Sequence, residues 1–241
     1  MANGNNKKKN MRKRRGMKMA KITWLGHAAF KIEIAGSTVL IDPWLDGNPT
    51  ASVTASDITK ADIVFVTHDH HDHLGDAFTI CKRTKATFVA ASELGDFAQE
   101  NGVENVVDLN IGGGVQIKGV RIFVVQAVHT AAKGAPTGVI VEGGGKAIYH
   151  AGDTALFGDM RLIGELYHPD VALIPIGGYY TMGPTEAAEA IKMLNPKTVI
   201  PMHYKTFPVL TQSADEFAKM VKERTANVHV VVLKPGESYR F

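Results

Sequence analysis

The chain has 241 residues, 45% hydrophobic and 21% charged, which is enough to bury one large core or two small ones. It contains no run of about 18 apolar residues, which excludes a membrane-spanning helix, and its lone Cys81 excludes an internal disulfide and fits a reducing, cytoplasmic setting. The net charge of +3 is unevenly spread: residues 1–20 carry eight basic side chains and no acid, and the remaining 19 basic and 24 acidic residues leave the body at about −5.

The basic opening, from Lys7 to Lys18, lacks the apolar stretch of a secretory signal. It is expected to be disordered. One reading makes it a mis-assigned start or cloning remnant, with Met17 or Met19 as the natural start; the other makes it an arm that contacts nucleic acid.

From Lys21 the pattern turns strand-rich. "KITWL", "FKIEIAG" and "STVLIDPWL" read as strands, with Gly36-Ser37 as a hairpin turn. "ADIVFV" is a continuous apolar run, as expected of a strand buried on both faces. The polar segment "THDHHDHLGD" (residues 67–76) comes next, followed by a short helix in "LGDAFTICKRT" and a strand in "ATFVA". Ser92 as N-cap and Gly102 as terminator bracket another helix. "GVQIKGVRIFVVQAVH" gives two β segments around Gly119, and "GVIVEGGGKAIYHAGDT" a hairpin through Gly143–Gly145.

A helix near Asp159–Tyr167 then precedes the strand "DVALIPIGG". "PTEAAEAIKML" is a helix opened by Pro184 and closed by Asn195-Pro196. "KTVIPMH" is a strand, Ser213 caps a helix running to about Thr225, and "VHVVVL" and "ESYRF" close the sheet. No linker divides residues 21–241. The expected architecture is a single α/β domain of two β-sheets packed face to face, with helices outside.

The polar residues fall at the C-terminal ends of apolar strands. His68, His70, Asp72 and His73 follow "DIVFV", His129 follows "RIFVVQAV", and Asp153 follows "KAIYHAG". His203 follows "KTVIPM", His27 follows "KITWLG", and Asp42 follows "TVLI". Ligand sites gather at such ends, where strands fix positions and loops are free to vary. A lone histidine after a strand is more often structural, but four within ten positions after a buried strand form a cation site. Alternate side chains of an extended segment point the same way, so His68 and His70 can share one ion, with Asp72 and His73 facing a second at the turn. Imidazole and carboxylate suit Zn²⁺, with Mn²⁺, Fe²⁺ or Ni²⁺ as alternatives.

The H-x-H-x-D-H pattern of His68, His70, Asp72 and His73, with the later "VHT", "AGDT" and "PMHY", resembles the signature of the metallo-β-lactamase superfamily across residues 21–241. "KITWLGHAAFKIE", "LIDPWL", "LIPIGGYYTMGPTEAAEAI" and "VIPMHYKTFP" are similar to small metal-dependent hydrolases without an assigned substrate, themselves similar to L-ascorbate-6-phosphate lactonase. The resemblance implies a four-layer αββα sandwich of two mixed sheets flanked by helices. It also implies two divalent metal ions: His68, His70 and His129 on the first, Asp72, His73 and His203 on the second, and Asp153 bridging.

The same resemblance leaves His71 outside the ligand set, and His150, His168 and His229 as structural. His27 is expected to position substrate or metal-bound water, or to support a neighbour by hydrogen bonding. Asp42 is expected to orient a ligand imidazole from behind. Tyr179, Tyr180 and Thr181 should border the site, contacting substrate or packing.

The implied activity is hydrolysis of an ester, lactone or phosphoester of a small molecule by a hydroxide bridging the two ions, with Asp72 orienting it or shuttling its proton. His70, where flavo-diiron redox relatives have glutamate, points to hydrolysis; domains of the glyoxalase II and β-CASP types are absent. The rival readings are a tRNA-processing nuclease using the basic tail, and a catalytically silent metal-binding protein, which should lack ligands that are all present here. A membrane partner is not expected, and a homo-oligomer is allowed.

Overall fold

The computed structural model describes residues 19–241; the expectations for the basic tail lie outside them. The first half runs β1 (Lys21–Gly26), β2 (Ala29–Ile34), β3 (Ser37–Ile41), β4 (Ile63–Phe65), α1 (His71–Leu74), α2 (Ala77–Thr84), β5 (Thr87–Ala91), α3 (Ser92–Glu100) and β6 (Val106–Leu109). The second runs β7 (Gly114–Ile117), β8 (Val120–Gln126), β9 (Thr137–Gly143), β10 (Lys146–His150), α4 (Met160–Tyr167) and β11 (Val171–Pro175). It continues through α5 (Pro184–Leu194), β12 (Thr198–Met202), α6 (Asp215–Arg224), β13 (His229–Val230) and β14 (Ser238–Arg240).

Two seven-stranded sheets result, ordered β14-β1-β2-β3-β4-β5-β6 and β13-β12-β11-β10-β9-β8-β7. Each begins with antiparallel hairpins and ends in parallel strands, β3 to β6 in one and β10 to β13 in the other. Parallel neighbours require crossover connections, several of them supplied here by helices. The run "ADIVFV" shows why its strand reads as uniformly apolar. Ile63 and Phe65 join the core between the sheets, while Val64 and Val66 pack in a second cluster with Ile80 of α2 and Leu94 of α3. This is the four-layer sandwich expected.

Several local expectations shift. The first hairpin turns at Ala35-Gly36, because Ile34 pairs with Ser37 and both turn residues have positive φ (53° and 89°), as a two-residue hairpin demands. The helix expected over "LGDAFTICKRT" is broken at Gly75 into α1 and α2. Ser92 is the first helical residue and not the N-cap; its Oγ hydrogen-bonds Asp108. Ser213 sits one residue before the Ala214 N-cap, yet its Oγ accepts from the Asp215 N–H at 3.1 Å, so it still satisfies a helix-end donor. Of "VHVVVL" only His229 and Val230 pair as a strand. Strand β6 was not expected; its half-buried edge position gives it a weak apolar signal. Among the described residues no helix is long and apolar enough to cross a membrane.

Candidate metal centre

Both sheets deliver polar side chains to one edge. Strand β4, buried on both faces, fixes the start of Thr67–His73, and His70 is the extended N-cap (φ −62°, ψ 144°) before the single turn of α1. His129 follows β8, Asp153 follows β10, His203 follows β12, His27 lies in the β1–β2 connection, and Asp42 follows β3. His27, Asp42 and His203 leave their strands with φ of 52°, 48° and 56°. Non-glycine residues in this left-handed region carry strain of order 1 kcal/mol or more each. All three are fully buried, so their surroundings hold them there.

The donor atoms fall into overlapping groups, each within 4.8 Å: His68, His70 and His129; His27, Asp72, His73 and His203; and His68, His73 and Asp153. Between His68 Nε2 and His70 Nδ1 the distance is 3.0 Å. Asp153 lies amid the rest, 3.2 Å from His73 Nε2, 3.1 Å from His203 Nε2 and 3.6 Å from His129 Nε2. Donor atoms about 2.0–2.1 Å from a tetrahedral ion would be roughly 3.3 Å apart, which these separations match.

Direction supports the same reading. His73 Nε2, His203 Nε2 and Asp153 Oδ1 are buried without a hydrogen-bond partner. Although the charges are near enough to attract, the groups are not aligned as donor and acceptor. Buried polar atoms are rarely left so, and lone pairs that converge on shared points without bonding one another fit cations between them.

Behind the cluster, Asp42 accepts from Thr67 N (2.8 Å), Thr67 Oγ1 (2.8 Å) and His73 Nδ1 (2.7 Å). Having donated to Asp42, the Thr67 hydroxyl accepts from His68 Nδ1 at 2.9 Å. One buried carboxylate thus holds the Nδ1 proton of His73 directly and that of His68 through Thr67, which turns both Nε2 atoms toward the cluster. His27 Nε2 donates to Asp72 Oδ2 at 3.2 Å, with Thr206 Oγ1 2.8 Å from His27 Nδ1.

Burial, then the nearby His203, pushes His27 down to about 4, and burial with the charge of His73 brings His68 to about 3. Both are neutral near pH 7, the state in which His68 could take a cation. Burial also disfavours a charged His73, but Asp153 and Asp42 outweigh it and hold its pKa well above the usual value. Burial alone would raise Asp153; His203 and His73 reverse that and keep it ionised. Asp72 is likewise held low against burial by its hydrogen bond from His27 and the charge of His73.

The remaining expected residues separate by position. His71 points outward, its side chain 81% exposed, with its ring edge-on to Trp44. Tyr180 lines a cavity of about 590 Å³ over the cluster, together with His70, Asp72, His129 and Asp153. Tyr179 and Thr181 line a neighbouring cavity of about 310 Å³ that shares Tyr180. His150 is buried outside the donor groups; its Nε2 donates to Ala28 O at 3.0 Å and its Nδ1 accepts from Gly152 N at 3.1 Å. His168 ends α4 in a left-handed conformation and His229 begins β13.

Sequence reasoning missed Thr67, although its place between a buried strand and the first histidine marks it. It also missed Asp69, whose Oδ1 accepts from Ala132 N and ties the motif to the loop after His129. Thr206 and the wall formed by Phe207, Pro208 and Val209 gave no signal beyond proximity to His203.

The profile of the Beta-lactamase superfamily domain matches residues 21–203. The chain is 52% identical to a UPF0173 metal-dependent hydrolase of Methanopyrus kandleri, covering 91% of this chain and 99% of the relative. Its counterpart in Thermofilum pendens is 50% identical, with coverage of 91% and 98%. Among solved structures, a metallo hydrolase of the hyperthermophilic archaeon Ignicoccus hospitalis superposes with a TM-score of 0.88 at 42% identity, covering 93% of this chain and 99% of that one.

Proposed function

We propose a two-metal hydrolase of small molecules, from the premise that this chain belongs to the metallo-β-lactamase superfamily, among its metal-dependent hydrolases. The observation that carries the reading is Asp153. This buried carboxylate lies within 3.6 Å of His73, His129 and His203, so it joins the two donor groups.

His68, His70 and His129 would hold one divalent ion and Asp72, His73 and His203 the other, with Asp153 shared. The donor set of imidazoles and carboxylates suits Zn²⁺ first, and Mn²⁺, Fe²⁺ or Ni²⁺ after it. When bound, such a pair supplies Lewis acidity, lowering the pKa of coordinated water toward neutrality and polarising the substrate oxygen. The chain's own groups do the rest. Asp42 fixes the ring orientation of His73 and, through Thr67, of His68. Asp72, aimed by the His27 N–H, is placed to accept a proton at its open carboxylate edge. Tyr180 closes one side of the cavity. The bond cleaved would be an ester, lactone or phosphoester, and the buried, unpaired Cys81 fits a reducing cytoplasmic setting.

The test is elemental analysis of purified protein alongside an ester, lactone and phosphoester panel. Wild type should carry two ions and turn over at least one class. His68→Ala and Asp153→Ala should lose metal and turnover together. A His68→Ala protein with two ions and full activity would overturn the assignment.

A further inference from the structure

The cavity over the metal cluster has two unlike sides. One side consists of the donor groups, with His71 and Thr130 beside them; the other is Tyr180, Phe207, Pro208 and Val209. Its exposed wall is unusual for this molecule. Among the described residues nine large hydrophobic side chains are exposed, and four of them, Val128, Tyr179, Tyr180 and Val209 (42, 67, 55 and 53% exposed), line this cavity or its neighbour. Scattered exposed hydrophobics need no explanation, but a patch of them beside a polar cluster marks a ligand surface.

What is missing from the walls decides the ligand's charge. Among the described residues no lysine or arginine lines either cavity. The N-terminus of α5 reaches the second cavity at Gly183 and already has an acid of its own against it. The Gly183 N–H donates to the helix's own Glu186 at 3.2 Å, and Pro184 has no N–H to offer. Glu186 itself faces that cavity. By contrast, Arg121, Lys146 and Lys197 line a groove at the opposite ends of the second sheet's strands, where Glu142 and Asp170 accompany them. A phosphate or carboxylate carried away from the scissile bond would meet no lysine or arginine on the walls, and in the second cavity it would face Glu186.

We infer that the substrate carries beside its scissile bond an uncharged, apolar group seated against Tyr180, Phe207 and Val209, as the acyl chain of a carboxylic ester or lactone would be, and that substrates with a phosphate or carboxylate in that place are disfavoured. This deepens the hydrolase reading and rests on it for turnover, though not for binding. Hydrolysis adds water across the acyl C–O bond, giving a carboxylic acid and an alcohol, with the proton of water passing to the alcohol oxygen.

Three p-nitrophenyl esters (acetate, butyrate, hexanoate) and the ω-charged p-nitrophenyl hydrogen adipate would be compared on zinc-loaded full-length protein. kcat/KM should rise roughly two- to fourfold per added methylene and fall at least tenfold from hexanoate to adipate. Val209→Ser should flatten the rise without loss of zinc. Calorimetry with hexanamide and adipic acid monoamide gives a readout free of turnover, with hexanamide expected to bind at least tenfold tighter. If hexanamide is preferred but no ester is cleaved, the hydrolase reading falls and the ligand class stands. If esters are cleaved with the charged chain equal or better, or if the monoamide binds as tightly, the inference is overturned while the hydrolase reading survives.

Discussion

Replacing Asp42 with asparagine isolates the support behind the histidine–aspartate cluster from the proposed ligands themselves. Asp42 is fully buried and takes Thr67 N on one oxygen, and Thr67 Oγ1 and His73 Nδ1 on the other. An amide keeps the shape but turns one acceptor into a donor. If its oxygen stays with His73 and Thr67 Oγ1, its NH₂ opposes the Thr67 N–H; if it flips, it opposes His73. One charge-assisted hydrogen bond is lost, costing about 1.5–3 kcal/mol, and one buried donor is left unpaired, costing about 1–3 kcal/mol, so metal-free Asp42→Asn should be destabilised by roughly 3–6 kcal/mol. Metal affinity should fall roughly 10- to 100-fold, the usual cost of removing the group behind a ligand imidazole, with the ion on His73 affected most. Chelator competition measures the affinity, and urea unfolding of the chelated protein measures the stability. Two ions held at wild-type affinity by a folded Asp42→Asn protein would refute the claim that Asp42 orients the ligands.

Three further outcomes follow from the same geometry. Gly152→Ala should cost at least about 2 kcal/mol and weaken metal binding, because Gly152 has φ +61° and a Cβ there would lie 2.5 Å from Thr137 O; wild-type urea midpoint and zinc content would contradict this. Phe217→Ala, which empties a fully buried site in the large core, should cost about 3–5 kcal/mol with little change in zinc stoichiometry, as read by urea unfolding and elemental analysis. The metal-free protein should lose stability as pH falls from 6.5 toward 4. His27 and His68, held to about 4 and about 3, and His150, lowered mainly by burial, refuse protons that the unfolded chain accepts, while His73, raised, is protonated in both states below 6.5 and adds no slope there. His27 and His68 alone leave an excess approaching two protons on the unfolded chain, or roughly 3 kcal/mol per pH unit, with His150 adding to it, and urea unfolding in chelator at pH 7, 6 and 5 that showed flat or rising stability would rule it out.

The legible features were those with a local signature. "ADIVFV" announces a strand buried on both faces, and the spacing of His68, His70, Asp72 and His73 announces polar side chains gathered by an extended segment and its turn. Both depend on residues within a few positions of one another, where the period of the chain directs side chains. The supports behind them had no such signature. Thr67 is one threonine among many until the fold sets its hydroxyl between Asp42 and His68. Thr206 matters only because its loop packs on His27. Strand β6 was missed for a related reason: as an edge strand with a half-buried face it lacks the apolar contrast that reveals an interior strand.

The way the cluster is assembled explains why so much of it was visible even so. Asp42, His68, Asp153 and His203 follow β3, β4, β10 and β12, all of which lie in the parallel portions of their sheets. Parallel strands in one sheet end at the same edge, so residues far apart in the chain arrive together without any local signal linking them. A reader who places each polar residue after its strand has therefore already placed it near the others. What strand order leaves open is how each side chain turns inward. His27, Asp42 and His203 do so from left-handed backbone conformations that no residue type there would announce, since glycine or asparagine is the usual occupant. The placement of these polar side chains was thus read from topology, and the aim of His27, Asp42 and His203 belongs to strained backbone held by the packing around it.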